Sequence, residues 1–140
     1  MPRNRHRPGR PSWCYGTPGQ ARAQQLAALA TGNAARQRAA ETALARCLDD
    51  PAQLARIVDP ALCHGWAGLL ATAWHAAADA STPDIADRLP GLLGSLLGHA
   101  RDTPPGALPG LIEGSAGIAL TLHSIATGTT GGWQTCLLLG

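Results

Sequence analysis

Read for its alternation of apolar and polar positions, the 140-residue chain falls into helix-length segments separated by glycine, proline and acidic breaks. Leu26, Leu29 and Ala30 form an apolar stripe at helical spacing after Pro18, a residue suited to a first turn, and Gly32 stops it. A second helix is expected over 34–48, ending at Asp49-Asp50-Pro51. A short piece over 53–58 then leads into Asp59-Pro60. The plan recurs with helices over 66–80 and 84–100. Ser81 to Asp84 offer caps between them, and Pro90 is expected to kink the later helix. A helix over 116–127, a glycine-rich break and a shortened helix over 133–139 complete the pattern.

The breaks carry a repeat. Cys14-Tyr-Gly-Thr-Pro-Gly19, Cys63-His-Gly-Trp-Ala-Gly68 and Ile112-Glu-Gly-Ser-Ala-Gly117 share a Gly-x-(Pro/Ala)-Gly core, and their first glycines, Gly16, Gly65 and Gly114, are spaced by 49 residues in both intervals. A fixed period of this length signals repeated supersecondary units. The helices that start at these glycines are alanine-rich with few charges. The intervening ones carry Arg36, Arg38, Glu41 and Arg46, or Asp84, Asp87 and Arg88. The expectation is an inner and an outer helical layer, with the glycines letting backbone pass close to its neighbour.

Composition sharpens the fold class. Apolar residues make up 45% and phenylalanine is absent. Ala and Leu dominate, and the β-branched aliphatics are only Ile57, Val58, Ile85, Ile112, Ile118 and Ile125. Such a chain is expected to be all-α. The net charge of +2 hides an asymmetry, since Arg3, Arg5, Arg7 and Arg10 lie in the first ten residues. Residues 1–9 read as a disordered basic leader. With no aromatic interleaving or basic helix behind it, nucleic-acid binding is not indicated. Pro8, Gly9 and Pro11 interrupt any signal-peptide core, and no apolar run is long enough to span a membrane. A cytoplasmic location follows as the expectation, with the four cysteines as free thiols or metal ligands.

The repeat gives two of those cysteines a shared address. Cys14 and Cys63 occupy equivalent positions at one end of successive inner helices, and His64 follows directly. Helix axes packed 8–10 Å apart let such loops converge on one ion, and thiolate and imidazole are the ligands zinc prefers. The third unit has Ile112 at the cysteine position, so three protein ligands would leave a coordination position open, as in catalytic zinc. Cys47 and Cys136 read as inert buried residues within apolar stretches, and Glu113 holds the His64 position of its unit.

Trp13-Cys-Tyr-Gly-Thr-Pro-Gly19, Cys63-His-Gly65 and Gly114-Ser-Ala-Gly117 together resemble the C-terminal motifs of the lanthionine synthetase C-like proteins, the LanC-type cyclases of lantibiotic biosynthesis. The resemblance covers residues 10–140. It implies an α/α toroid portion of about three helix-pair repeats, with Zn2+ held by Cys14, Cys63 and His64. The implied chemistry is addition of a peptide cysteine thiolate to dehydroalanine or dehydrobutyrine in a dehydrated precursor peptide, giving thioether rings. Arg10 matches a family arginine four residues before the first ligand cysteine, and the resemblance implies a catalytic role for it in steadying negative charge. A dehydratase or a complementary N-terminal fragment is the expected protein partner. The family's upstream Gly-x-x-His-Gly segment, source of a general acid/base, has no counterpart here. The expectation is therefore the C-terminal part of a cyclase, incomplete as an enzyme, with a non-catalytic zinc-binding fragment or half of a split cyclase as the alternative.

Overall fold

A computed structural model describes residues 9–102, 108–129 and 131–140; most of the expected basic leader lies outside them. Among the described residues there are six α-helices and no strands: α1 Thr17–Thr31, α2 Ala34–Leu48, α3 Pro51–Leu54, α4 Trp66–Asp79, α5 Leu89–Arg101 and α6 Ser115–Thr127. Short 3-10 turns occupy Ala86–Arg88 and Trp133–Leu137. The all-α expectation holds.

Two of the prolines act differently from their sequence reading. Pro90 stands in the first turn of α5 rather than kinking a longer helix, because a residue without an N–H costs nothing where no acceptor awaits it. Pro51 likewise opens α3, with the Asp50 side chain accepting from the backbone N–H groups of Ala52 and Gln53. The short helix therefore ends at Leu54 rather than running over 53–58. The expected final helix over 133–139 is a five-residue 3-10 turn followed by a tail.

The repeat survives at atomic detail. Gly16, Gly65 and Gly114 are the N-caps of α1, α4 and α6. The glycine three residues on is required by close approach, not by an unusual φ. A Cβ on Gly19 would lie 1.8 Å from the carbonyl oxygen of Trp13, on Gly68 1.8 Å from that of Leu62, and on Gly117 2.1 Å from that of Leu111. What passes close is each unit's own entry loop, folded back over the helix it precedes. Hydrogen bonds recur with the same offset: Gly19 N–H to Ser12 O and Gly68 N–H to Ala61 O, and Thr72 Oγ1 to Gly68 O and Thr121 Oγ1 to Gly117 O.

Helices α1, α4 and α6 form the inner layer, with α4 between the other two, while α2 packs on α1 and α5 on α4. The core centres on α4, where Leu69, Leu70 and Ala73 are at most 1% exposed. Burying each leucine contributes roughly 1.5–3 kcal/mol. Helix α1 buries a different face from the expected Leu26, Leu29 and Ala30 stripe: Leu29 and Ala30 are exposed, whereas Ala21, Arg22, Gln25 and Ala28 are buried. There Arg22 donates to Gln25 Oε1 and pairs with Asp79 at 2.8 Å. Gln25 donates to Glu41 and to the carbonyl of Ala76. Glu41 also accepts from the Ser81 hydroxyl and from Gln37. Burial alone would raise the Glu41 carboxyl, but these hydrogen bonds outweigh it and hold the group below its ordinary value. This polar network joins α1, α2 and α4.

The C-terminal segment turns back across the inner layer. Trp133 Nε1 donates to Ser124 Oγ of α6 at 3.0 Å. Trp13 Nε1 donates to the Leu137 carbonyl at 2.9 Å, and Arg22 Nε to the Leu139 carbonyl at 2.7 Å. Leu137 and Leu139 are buried.

Candidate metal centre

The three entry loops meet in a backbone ladder at one end of the inner layer. Cys63 N–H donates to Ile112 O at 2.9 Å, and Cys14 N–H to Cys63 O at 3.4 Å. Residues in equivalent positions of successive units are thus bonded directly to one another, which fixes the cysteine side chains side by side. The sulfurs of Cys14 and Cys63 and a ring nitrogen of His64 all lie within 4.8 Å of one another, a group that can hold a metal ion. Cys14 is exposed, and Cys63 and His64 are half-buried, so the cluster is open to solvent on one side.

The donor set suits a cation on chemical grounds. Burial pushes the Cys63 thiol up to about 11, and the neighbouring Cys14 and the carboxylates of Glu113 and Asp59 add to the effect. Two sulfurs and two carboxylates press negative character onto one small volume, and a metal ion reverses that penalty by deprotonating a coordinating thiol.

Asp59 is the residue that the sequence reading passed over as part of a helix-ending Asp-Pro pair. Its Oδ2 lies 3.6 Å from Arg10 Nη1 and 3.7 Å from His64 Nε2. Its Oδ1 accepts from Ala61 N–H at 2.9 Å, and its carbonyl accepts from Trp66 N–H, so the loop holds the carboxylate rigidly. The 49-residue register carried the signal, since Arg10 and Asp59 are equivalent positions that pair across units. Glu113 is exposed and lines a cavity of about 310 Å³ with Asp59, His64 and Ile118.

The remaining cysteines and helix histidines are dispersed. Cys47 is buried, its thiol pushed up to about 11 by burial and by Asp50, as expected of an inert core cysteine. Cys136, also expected to be buried, is exposed, because the last segment is a surface 3-10 turn rather than a packed helix. His75 is buried in α4, His99 packs on the Trp66 ring at 5.5 Å, and His123 is exposed. No helix among the described residues is long and apolar enough to cross a membrane.

Nisin cyclase has a similar fold: the two superpose with a TM-score of 0.79 at 23% identity, over 94% of this chain and 32% of that one. The chain spans about a third of the length of nisin cyclase, and its helical layers are part of an α/α toroid. No curated protein sequence matches. The sequence pattern of the lanthionine synthetase C-like proteins matches residues 2–138. With the motifs and the loop ladder in place, this match means that the chain belongs to the lanthionine synthetase C-like family.

Proposed function

We propose that residues 10–140 form the C-terminal portion of a thioether cyclase, contributing the zinc-binding half of its active centre. The observation that carries this reading is the convergence of Cys14, Cys63 and His64 within 4.8 Å, through a loop ladder that leaves one side open. Zinc, when bound, lowers the pKa of a substrate thiol so that a thiolate is present at neutral pH. Cys14, Cys63 and His64 hold the ion, and the Asp59 carboxylate beside His64 Nε2 orients the imidazole, as an outer carboxylate does for metal-bound histidines.

In the addition, the peptide sulfur bonds to the β-carbon of a dehydroamino acid. The double-bond electrons move toward the carbonyl oxygen, and a proton then reaches the α-carbon. Arg10 is the cation placed to steady the developing negative charge, with Asp59 fixing its position. The histidine that would supply the proton belongs to the upstream motif of the family, which this sequence does not contain. The dehydrated precursor peptide is therefore proposed as the substrate of a larger assembly, in which a dehydratase supplies that peptide.

Metal analysis of the purified chain should give about one zinc per chain, and none for Cys63→Ala. Stoichiometric zinc in that variant would refute the site. Incubation of the chain alone with dehydrated peptide should leave its thiols open to alkylation, and addition of an N-terminal fragment should protect them.

A further inference from the structure

A second cavity, of about 340 Å³, has Cys14 of the ligand group in its wall. Trp13 and Ala23 line one side, and Leu137, Leu138 and Leu139 of the tail the other. Its size is at the lower end of the range of ligand pockets, about 300–1,000 Å³, and a mostly apolar lining with few polar groups is typical of them.

Leu138 sets this cavity apart from an incidental gap between helix and tail. It is the one non-glycine residue with positive φ among those described, at φ 55 and ψ 35. A Cβ disfavours that conformation, and glycine or asparagine is the ordinary choice there. The backbone is pinned on both sides, by Trp13 at Leu137 and by Arg22 at Leu139. The leucine side chain nonetheless stands 80% exposed at the rim. The conformation itself is the left-handed cap of the Trp133–Leu137 turn, with the cap N–H groups bonded to the Gln134 and Thr135 carbonyls. What is unusual is a leucine there, with its side chain free at the rim to meet a ligand.

The occupant follows from position. Cys14 belongs both to the ligand group and to the cavity wall, so the residue next to a metal-bound peptide thiol is within reach of this cavity. We infer that the cavity between α1 and the tail is a subsite for an aliphatic side chain flanking the reacting cysteine, with Leu138 as its lip. The inference rests on the metal reading above and adds a peptide preference to it. Leu138 is a specificity residue, and Trp13 and Arg22 are positioning residues that hold its turn.

The test uses the cobalt(II)-loaded chain and two peptides, N-acetyl-Leu-Cys-amide and N-acetyl-Gly-Cys-amide, with binding followed by the increase in thiolate-to-cobalt absorption over that given by Cys14 and Cys63 alone. The leucine peptide should bind roughly tenfold more tightly, as burial of one leucine side chain implies. Leu138→Asn, which suits the left-handed backbone and so should fold at least as well, should bring the preference below about twofold. Its cobalt content and its affinity for 2-mercaptoethanol should not change. Ala23→Leu, which fills the cavity from a helical position, should likewise weaken only the leucine peptide. Equal affinities in the unsubstituted chain, or an undiminished preference in Leu138→Asn, would overturn the subsite while leaving the metal site standing. Absence of a thiolate band in the cobalt-treated chain itself would sink the metal reading and the subsite together, and no increase with either peptide would overturn the subsite alone.

Discussion

Helices α1 and α4 begin with the same glycine pair, start from the same kind of folded-back loop and deliver equivalent cysteines to one cluster, yet they are held in opposite ways. Helix α4 is flanked by α1 and α6 and backed by α5, and it buries ten of its residues, most of them apolar. Helix α1 has an inner neighbour on one side only. It is held there by Arg22 and Gln25, which reach Asp79, Glu41, the Ala76 carbonyl and the tail. The lesson is that a repeat fixes where an element starts and which end it presents. Its neighbours determine whether apolar packing or a directed polar network secures it.

The largest difference should appear on truncating the two helices. Leu70→Ala in α4 opens a cavity in a fully buried position and should cost about 2–5 kcal/mol in denaturant unfolding. Leu29→Ala in α1, already 42% exposed, should cost about 1 kcal/mol or less. Similar costs would show that α1 is secured by apolar burial after all.

The polar network is broken most directly at Glu41. Glu41→Ala takes one of two acceptors from the buried Gln25 amide and the acceptor of the exposed Ser81 hydroxyl, and should cost about 1–3 kcal/mol. The network also sets an acid limit. Glu41 is held below its ordinary value in the fold. Its contribution is complete above the unfolded carboxylate range and is lost as pH falls through the folded value. His75 of α4 acts earlier. Burial, then repulsion from Arg22, lowers its pKa below the ordinary 6.5, against a smaller opposing pull from Asp79. The unfolded chain therefore takes up a proton first, and stability should decline as pH drops below about 6.5. Thermal unfolding between pH 8 and pH 4 should show the early decline in the parent and lose it in His75→Gln.

The entry loops should be equally intolerant in both units, since a Cβ on Gly19 or Gly68 would meet the carbonyl oxygen of Trp13 or Leu62 at the same 1.8 Å. Alanine at either should cost about 1–3 kcal/mol by overpacking and lower metal occupancy. A tolerant Gly19 would mean that the first loop is less tightly seated than the second. The smallest expected effect is a gain. Leu138→Gly removes the positive-φ strain and should stabilise the chain by about 1 kcal/mol, less the entropy that glycine adds to the unfolded state.

Much of this was legible in the residues. The helical class came from an alanine- and leucine-rich composition, and the layers from charge alternating between helices. The cysteine cluster came from glycines spaced by 49 residues, because a carbonyl folded over a helix start excludes a Cβ wherever the loop recurs. Less legible were the features made by residues distant in sequence. The stripe assigned to α1 went to the wrong face, since periodicity does not reveal that the buried side is polar when its partners lie on other helices. Asp59 passed as a helix terminator, although the 49-residue register sets it opposite Arg10; that it also faces His64 depends on how its own loop folds.

The sequence by itself therefore determined the units, their register and the meeting of Cys14, Cys63 and His64. Each follows from short-range sterics repeated at a fixed period. Only the tertiary structure decided how α1 is anchored, that Asp59 faces His64, and that the tail folds back to pin Leu138 beside Cys14. Those outcomes depend on hydrogen bonds between residues as far apart as Trp13 and Leu137, a pairing that no local pattern along the chain encodes.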